Sequence, residues 1–233
     1  MWVMPRARHV INMGGLDPQA LKSLAFSRSI IYDFLASSYI YPYRLGDFEK
    51  LIKARIGRVR DVAKVLAGLY PSMNGLIRLL DIAEGISDYN SLTPIQVDFT
   101  RVDYGAIPYE GYTHTGYLDM NTEITLKRIY ADYNLVVNKE FRDLRGDHIA
   151  VEFAFMSFLA YKEYDDWSNA IKYVEEEDYF INNHLINWVP VFVSTSLKLV
   201  RTEYFKLLLN FTRDFVVQDK EVIKIVRDAY GGE

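Results

Sequence analysis

The chain has 233 residues, enough to bury a substantial core in one large domain or two small ones. Half of it is apolar and a quarter charged, as in ordinary globular proteins, and no apolar run approaches the ~18–20 residues that span a bilayer. There is no cysteine, which excludes disulfides, Cys-ligated zinc and protein-held iron–sulfur clusters, and the net charge of −4 argues against nucleic acid as the main partner.

Residues 1–16 contain Arg6 and Arg8 but no continuous apolar run, so they read as a loosely ordered start rather than a signal peptide. Asp17-Pro18 then opens a helix, with Asp as cap and Pro at the first helical position. Leu21, Leu24, Ala25, Ile31, Phe34 and Leu35 keep helical spacing until Pro42. A second helix is expected from Asp47 to about Ile56, a third through Val59, Val62 and Leu66 to Pro71, and a fourth from Ser72 to Gly85. Thr93-Pro94 opens a short helix that stops at Gly105. Residues 105–118, with Pro108, Gly111 and Gly116, read as the one long irregular stretch, and long loops of this kind are functional or mobile.

Asp119 or Asn121 caps a helix to about Asn134. Residues 147–163 are apolar on nearly every face, which marks a helix surrounded by others. Asp166 and Ser168 begin a segment that runs to Leu185 and that Pro190 kinks or ends. Val191 to Phe215 is helical again, and Asp219 caps a last helix to Tyr230. No alternating run long enough for a strand is present, nor any repeat. The fold class is therefore all-α: a single domain over 1–233, a multi-helix bundle around the helix at 147–163.

Charge is unevenly spread. Residues 1–80 carry twelve Lys/Arg against five acids, whereas residues 140–180 carry eleven acids against four Lys/Arg. The acidic block reads either as a solvated helix face or as a rim that attracts a cationic partner segment.

The groups that could do chemistry are few. His148 and Glu152 are four apart on a helix beside Asp147, a spacing that suits zinc or iron. A di-iron bundle would need such carboxylates on four helices, and only four histidines exist (His9, His114, His148, His184). The plainer reading makes Glu152 a satisfied buried acid paired with an arginine such as Arg101, and Asp147 the cap of its helix. Trp188 and His184 share one face of a later segment. No Gly-x-Ser-x-Gly, P-loop or Gly-x-Gly-x-x-Gly is present, so an enzyme reading is poor.

Four patches between residues 95 and 192 resemble the TorD/DmsD/NarJ family of molybdoenzyme maturation chaperones. Asp98-Phe99-Thr100-Arg101 is similar to the family's Glu-Tyr-Thr-Arg, although Asp103 stands where an aromatic residue is usual. Pro108-Tyr109-Glu110 is similar to its Pro-Tyr-Glu-Ser, with Gly111 in place of serine. Asp147-His148 with Glu152, Phe155 and Met156 resembles its Asp-His motif and the run after it, with Gly146 where proline is common. His184-Leu185, Trp188 and Pro190 match its His-Leu-x-x-Trp-x-Pro.

The resemblance implies a cytoplasmic, non-enzymatic chaperone, monomeric or a domain-swapped dimer. It would bind the apo catalytic subunit of a molybdopterin oxidoreductase, its twin-arginine signal peptide, or both, and delay export until the cofactor is in place. Membrane insertion, nucleic acid, a resident metal and a stably bound cofactor are not expected, and any handling of the client's molybdopterin would be indirect. Tyr109, Glu110, Asp147 and His148 would surround the binding groove and His184 and Trp188 shape its wall, with Arg101, Pro108, Glu152 and Pro190 as supporting motif residues. The alternatives are a metal protein or enzyme using His148 and Glu152, or a structural assembly subunit.

Overall fold

The computed structural model describes residues 17–137 and 144–230, so the expectation for residues 1–16 lies outside the described residues. Helix α1 (Pro18–Ser38) begins as its sequence dictates. Asp17, in an extended conformation, accepts from the Gln19 N–H, and Pro18 occupies the first turn. Next come α2 (Leu45–Leu51), a 3₁₀ turn (Lys53–Arg55) and α3 (Ile56–Leu66). The second helix thus starts earlier than expected, with Arg44 and not Asp47 at its N-cap. Ser72 precedes α4 (Met73–Gly85) without capping it, because its N–H and hydroxyl both go to Gln218 on the last helix.

Helix α5 (Tyr89–Gly105) begins several residues before the expected start at Pro94. Asp88 accepts from the Ser91 N–H at 2.8 Å, while the Ser91 hydroxyl reaches back to the start of the helix. That reciprocal cap sets the helix going, and Pro94 falls inside it. The stretch expected to be irregular at 105–118 contains a short helix, α6 (Glu110–Thr115), stopped by Gly116 at φ +80°, a left-handed geometry that glycine adopts freely. Asp119 then caps α7 (Met120–Asp132) through the Thr122 N–H.

Helix α8 (Ile149–Asp165) is the one expected at 147–163. It lies along α1 and α9 (Ala170–Phe180), with Ile149, Phe153, Met156 and Leu159 fully buried. After α9 a single π turn (Ile181–Leu185) leads into α10 (Ile186–Ser196). Pro190 does not end that helix, which runs on through it for six more residues. The irregularity comes one turn earlier, in the π turn.

The last two elements also divide differently from the expectation. The break falls at 197–202, and α11 (Glu203–Tyr230) is then one 28-residue helix. Asp98 on α5 explains the break. Its carboxylate accepts from the N–H groups of Arg201 and Thr202, the Thr202 hydroxyl and Arg101 Nη1, so it caps α11 from a distant part of the chain. Burial pushes this carboxyl up, but those hydrogen bonds outweigh it and hold the group below its ordinary value.

Asp219 is no cap. It is fully buried in mid-helix, where Arg28 Nε and Nη2 meet its two oxygens at 2.7 and 3.0 Å. The Tyr32 and Tyr70 hydroxyls donate to the same carboxylate at 2.6 and 2.5 Å. Arg28 Nη1 also reaches Glu163 on α8, and Nη2 pairs with Glu177 on α9. One buried guanidinium therefore ties α1, α8, α9 and α11 together. Among the described residues there is no strand, and the helices share one apolar core. The fold is an all-α bundle, as the periodicity predicts, and no helix among the described residues is long and apolar enough to cross a membrane.

Candidate functional site

The site is built where the chain turns into α6 and where it turns into α8. Ile107 holds a positive φ of 50°, a strained geometry for a β-branched residue, and it turns the chain sharply after α5. Two hydrogen bonds then clip this turn to the start of α8, Glu110 N–H to the Asp147 carbonyl (2.9 Å) and Ile149 N–H to the Pro108 carbonyl (3.0 Å). Tyr109 and His148 face each other across this antiparallel bridge, their rings edge to face at 4.9 Å. The pairing gives strand-like rigidity to two segments that single-residue propensities describe only as loop.

His148, not Asp147, is the N-cap of α8. It sits in extended conformation, and its Nδ1 accepts from the Ala150 N–H at 3.1 Å. Burial pushes its imidazole down to about 3, so the ring is neutral and Nδ1 is free to accept. His148 thus lies at the cap and not within the helical turns on which its alternative reading as a metal ligand beside Glu152 rests. No group of three or more His, Asp or Glu that could hold a metal ion occurs among the described residues.

Asp147 is fully buried one position earlier and ties α6 to α7. Arg145 Nε donates to its carboxylate at 3.0 Å, while the same guanidinium donates to the Asp119 carbonyl and pairs with Glu123. A Cβ on Gly111 would come within 3.0 Å of the Asp147 carboxylate and 3.1 Å of Asp119. The glycine in place of the motif's serine is thus what lets α6 seat against Asp147. Burial, outweighing Arg145, raises the Asp147 carboxyl above its usual value.

From α6 the Glu110 carboxylate, 4 % exposed, reaches His184 Nδ1 at 3.0 Å, and His114 Nε2 lies 3.5 Å from it. His184 belongs to the π turn, a distortion that concentrates at functional sites. One turn on, Trp188 Nε1 donates to Glu152 at 3.0 Å. Glu152 is fully buried with no cation paired to it among the described residues, and Arg101, the partner expected for it, pairs with Asp98 instead. Burial, with the Glu110 carboxylate nearby, raises the Glu152 carboxyl well above its ordinary value. Its second oxygen and His184 Nε2 have no hydrogen-bond partner among the described residues.

Tyr109, Glu110, Asp147, His148, Glu152, His184 and Trp188, with Pro108, are thus gathered about the first two turns of α8. Arg101 belongs to the cap of α11, and Pro190 lies within α10 beyond Trp188. The acidic block at 140–180 does not form a rim as a whole: Asp147, Glu152, Glu163 and Glu177 are all buried. Sequence reasoning passed over Arg145 and the tyrosines before α2. The signal for Arg145 was its place two residues from Asp147. No local signal marked Tyr41 and Tyr43.

Two hollows open beside this end of α8. One, of about 270 Å³, is bounded by Tyr41, Tyr43, Asp103, Tyr109, Leu144 and His148. The other, of about 140 Å³, is apolar and lies between α7 and α8, among Tyr130, Val136, Val151, Phe155 and Phe158. Val136 on its edge is 86 % exposed.

A family model described as nitrate reductase delta subunit matches residues 71–194, a span that holds the whole polar cluster. No curated protein and no solved structure matches the chain.

Proposed function

The chain belongs to the nitrate reductase delta subunit family, a family of molybdoenzyme maturation chaperones, and on that footing we propose that it binds an unfinished client in the cytoplasm. The client is the apo catalytic subunit of a molybdopterin-containing oxidoreductase. The segment gripped is an arginine-bearing terminus such as a twin-arginine signal peptide, held back until the cofactor is inserted. The observation that carries this reading is the convergence of a buried carboxylate–imidazole cluster, which lies within the matched span, with two adjoining hollows, one aromatic with an acid and one apolar.

The chemistry suits such a client. A signal peptide offers guanidinium groups next to an apolar run, and its receptor needs apolar contact for affinity and carboxylates for selection. Tyr109 and His148 line the aromatic hollow directly. Glu110, Asp147, His184 and Trp188 are buried behind it and hold the turn and α8 in register. They act as positioning residues for the binding surface. A micromolar complex requires about −8 kcal/mol, within reach of a site this size.

Calorimetric titration of the full chain with the signal peptide of a molybdenum oxidoreductase from the same source tests this. Saturable binding, weakened at least tenfold by Arg-Arg→Ala-Ala in the peptide and by Asp147→Ala in a protein of unchanged far-UV spectrum, is the expected result. Absence of binding both to the peptide and to the apo catalytic subunit sinks the reading.

A further inference from the structure

We propose that the outer face of α5 is a contact surface for a second copy of this chain, the two helices packing antiparallel about a twofold axis that passes close to Val97. The inference is independent of the client reading and involves no exchange of elements between the copies.

Tyr89, Thr93, Val97, Thr100 and Tyr104 follow one another at helical spacing, which puts them on one stripe about 80° wide along ~22 Å of α5. All five are exposed, Tyr89 at 58 % and Tyr104 at 84 %. A solvent-facing helix ordinarily carries charge on such a face, and this stripe carries none. Its hydroxyls are also prepared for burial. Thr93 donates to the Tyr89 carbonyl at 2.6 Å and Thr100 to the Gln96 carbonyl at 3.0 Å, so covering the stripe leaves neither threonine unpaired.

The order of the stripe selects the partner, because Tyr-Thr-Val-Thr-Tyr reads the same in both directions. In an isologous contact residue i meets j while j meets i. An antiparallel pair centred on this stripe sets Tyr89 against Tyr104 of the second copy, Thr93 against Thr100, and Val97 against its own equivalent. The threonines let the helices approach closely, the tyrosine rings close both ends, and opposite ends of the two helix dipoles lie side by side. Asp103 and Arg101 border the stripe on its two edges, and helical geometry brings them beside the uncharged Tyr89 and Asn90 of the second copy. For a chain of net charge −4, an uncharged face is where two copies meet with least repulsion. Five side chains fall short of the ~800 Å² that each partner covers in a stable interface, so the pairing is weak, on the order of 10–100 μM.

Sedimentation velocity of the full chain over about 5–500 μM tests this, and the mean mass should rise toward twice that of the monomer. Val97→Asp sets like charges together at the axis and should weaken the pairing at least tenfold with the far-UV spectrum unchanged, as should Val97→Lys. Mixing the two variants should restore a one-to-one dimer, because Asp and Lys then meet across the axis. The chain has no cysteine, so Val97→Cys carries its only thiol. Under mild oxidation it should give a disulfide-linked dimer at least fivefold faster than Lys64→Cys on α3. A monomer at every concentration, pairing that Val97→Asp leaves unaltered, no recovery on mixing, or equal cross-linking of the two cysteine variants overturns the proposal. So does a monomeric parent whose client peptide binds more weakly to Val97→Asp, because the face then belongs to the client.

Discussion

Helix α8 carries a buried acid near each end, Glu152 and Glu163, eleven residues apart and so three turns, or ~16 Å, along the same face. Their surroundings differ in kind. Glu163 belongs to a cluster organised around Arg28, in which Asp219 receives four donors and four helices are joined through one cation. Glu152 sits in a cluster in which Arg145 is half-buried and committed to Asp147, Asp119 and Glu123. The first cluster holds helices together. Among the described residues the first leaves Glu177 Oε1 unpaired and the second leaves Glu152 Oε1 and His184 Nε2, but only the second adjoins both hollows. Burying polar groups is costly in either place, and only in the first does a central counter-charge offset it.

The sharpest way to break the contrast is Arg28→Met. It strands three carboxylates in the core, and a loss of roughly 3–5 kcal/mol is expected from denaturant unfolding followed by circular dichroism. A midpoint shift below ~0.5 kcal/mol would show that the network is not structural.

The two ends should also respond oppositely to pH. At the site end, folding depresses His148 from its ordinary 6.5 to about 3. Its contribution is therefore complete above pH 6.5 and lost as pH falls toward 3, about 2 kcal/mol of it between pH 7 and 5. His148→Asn, which keeps a capping side chain, should flatten that acid limb of the stability curve. An unchanged slope in the variant would assign the limb to other groups.

At the Arg28 end, burial outweighs the guanidinium and raises Glu177 to about 7. A carboxyl raised on folding contributes stability that is complete below its unfolded value near 4.5 and declines as pH rises toward 7. Glu177→Gln should flatten the curve in that window, read as melting temperature against pH. If the parent shows no decline there beyond that of the variant, Glu177 is ionised throughout.

The smallest effect is expected at Glu152. Burial disfavours the charged form of this acid, and Glu152→Gln keeps both its shape and its hydrogen bond from Trp188, so stability at pH 7 should change by less than about 1 kcal/mol. Stabilisation by several kcal/mol would reveal a buried charge in the parent.

Much of this was legible in the chain itself. Asp17-Pro18 started its helix where expected because a cap and a fixed φ are local facts, and the all-round apolar run after residue 148 announced a surrounded helix. Of the motif residues that the sequence singles out, all but Arg101 and Pro190 meet about the start of α8. Some local signals were passed over, the Asp88–Ser91 cap of α5 among them, and other assignments failed because they depended on a distant partner. Asp219 looks like a cap until Arg28, 191 positions away, is brought against it. Asp98 looks like a motif acid until it is found capping a helix over a hundred residues later.

The sequence by itself determined the helices, their apolar faces and the identity of the polar residues that must be buried with them. Tertiary structure alone decided which buried acid met a cation and which did not. Helical periodicity acts within a few turns, whereas the charge state of a buried carboxyl is fixed by whatever the fold sets within a few ångströms of it.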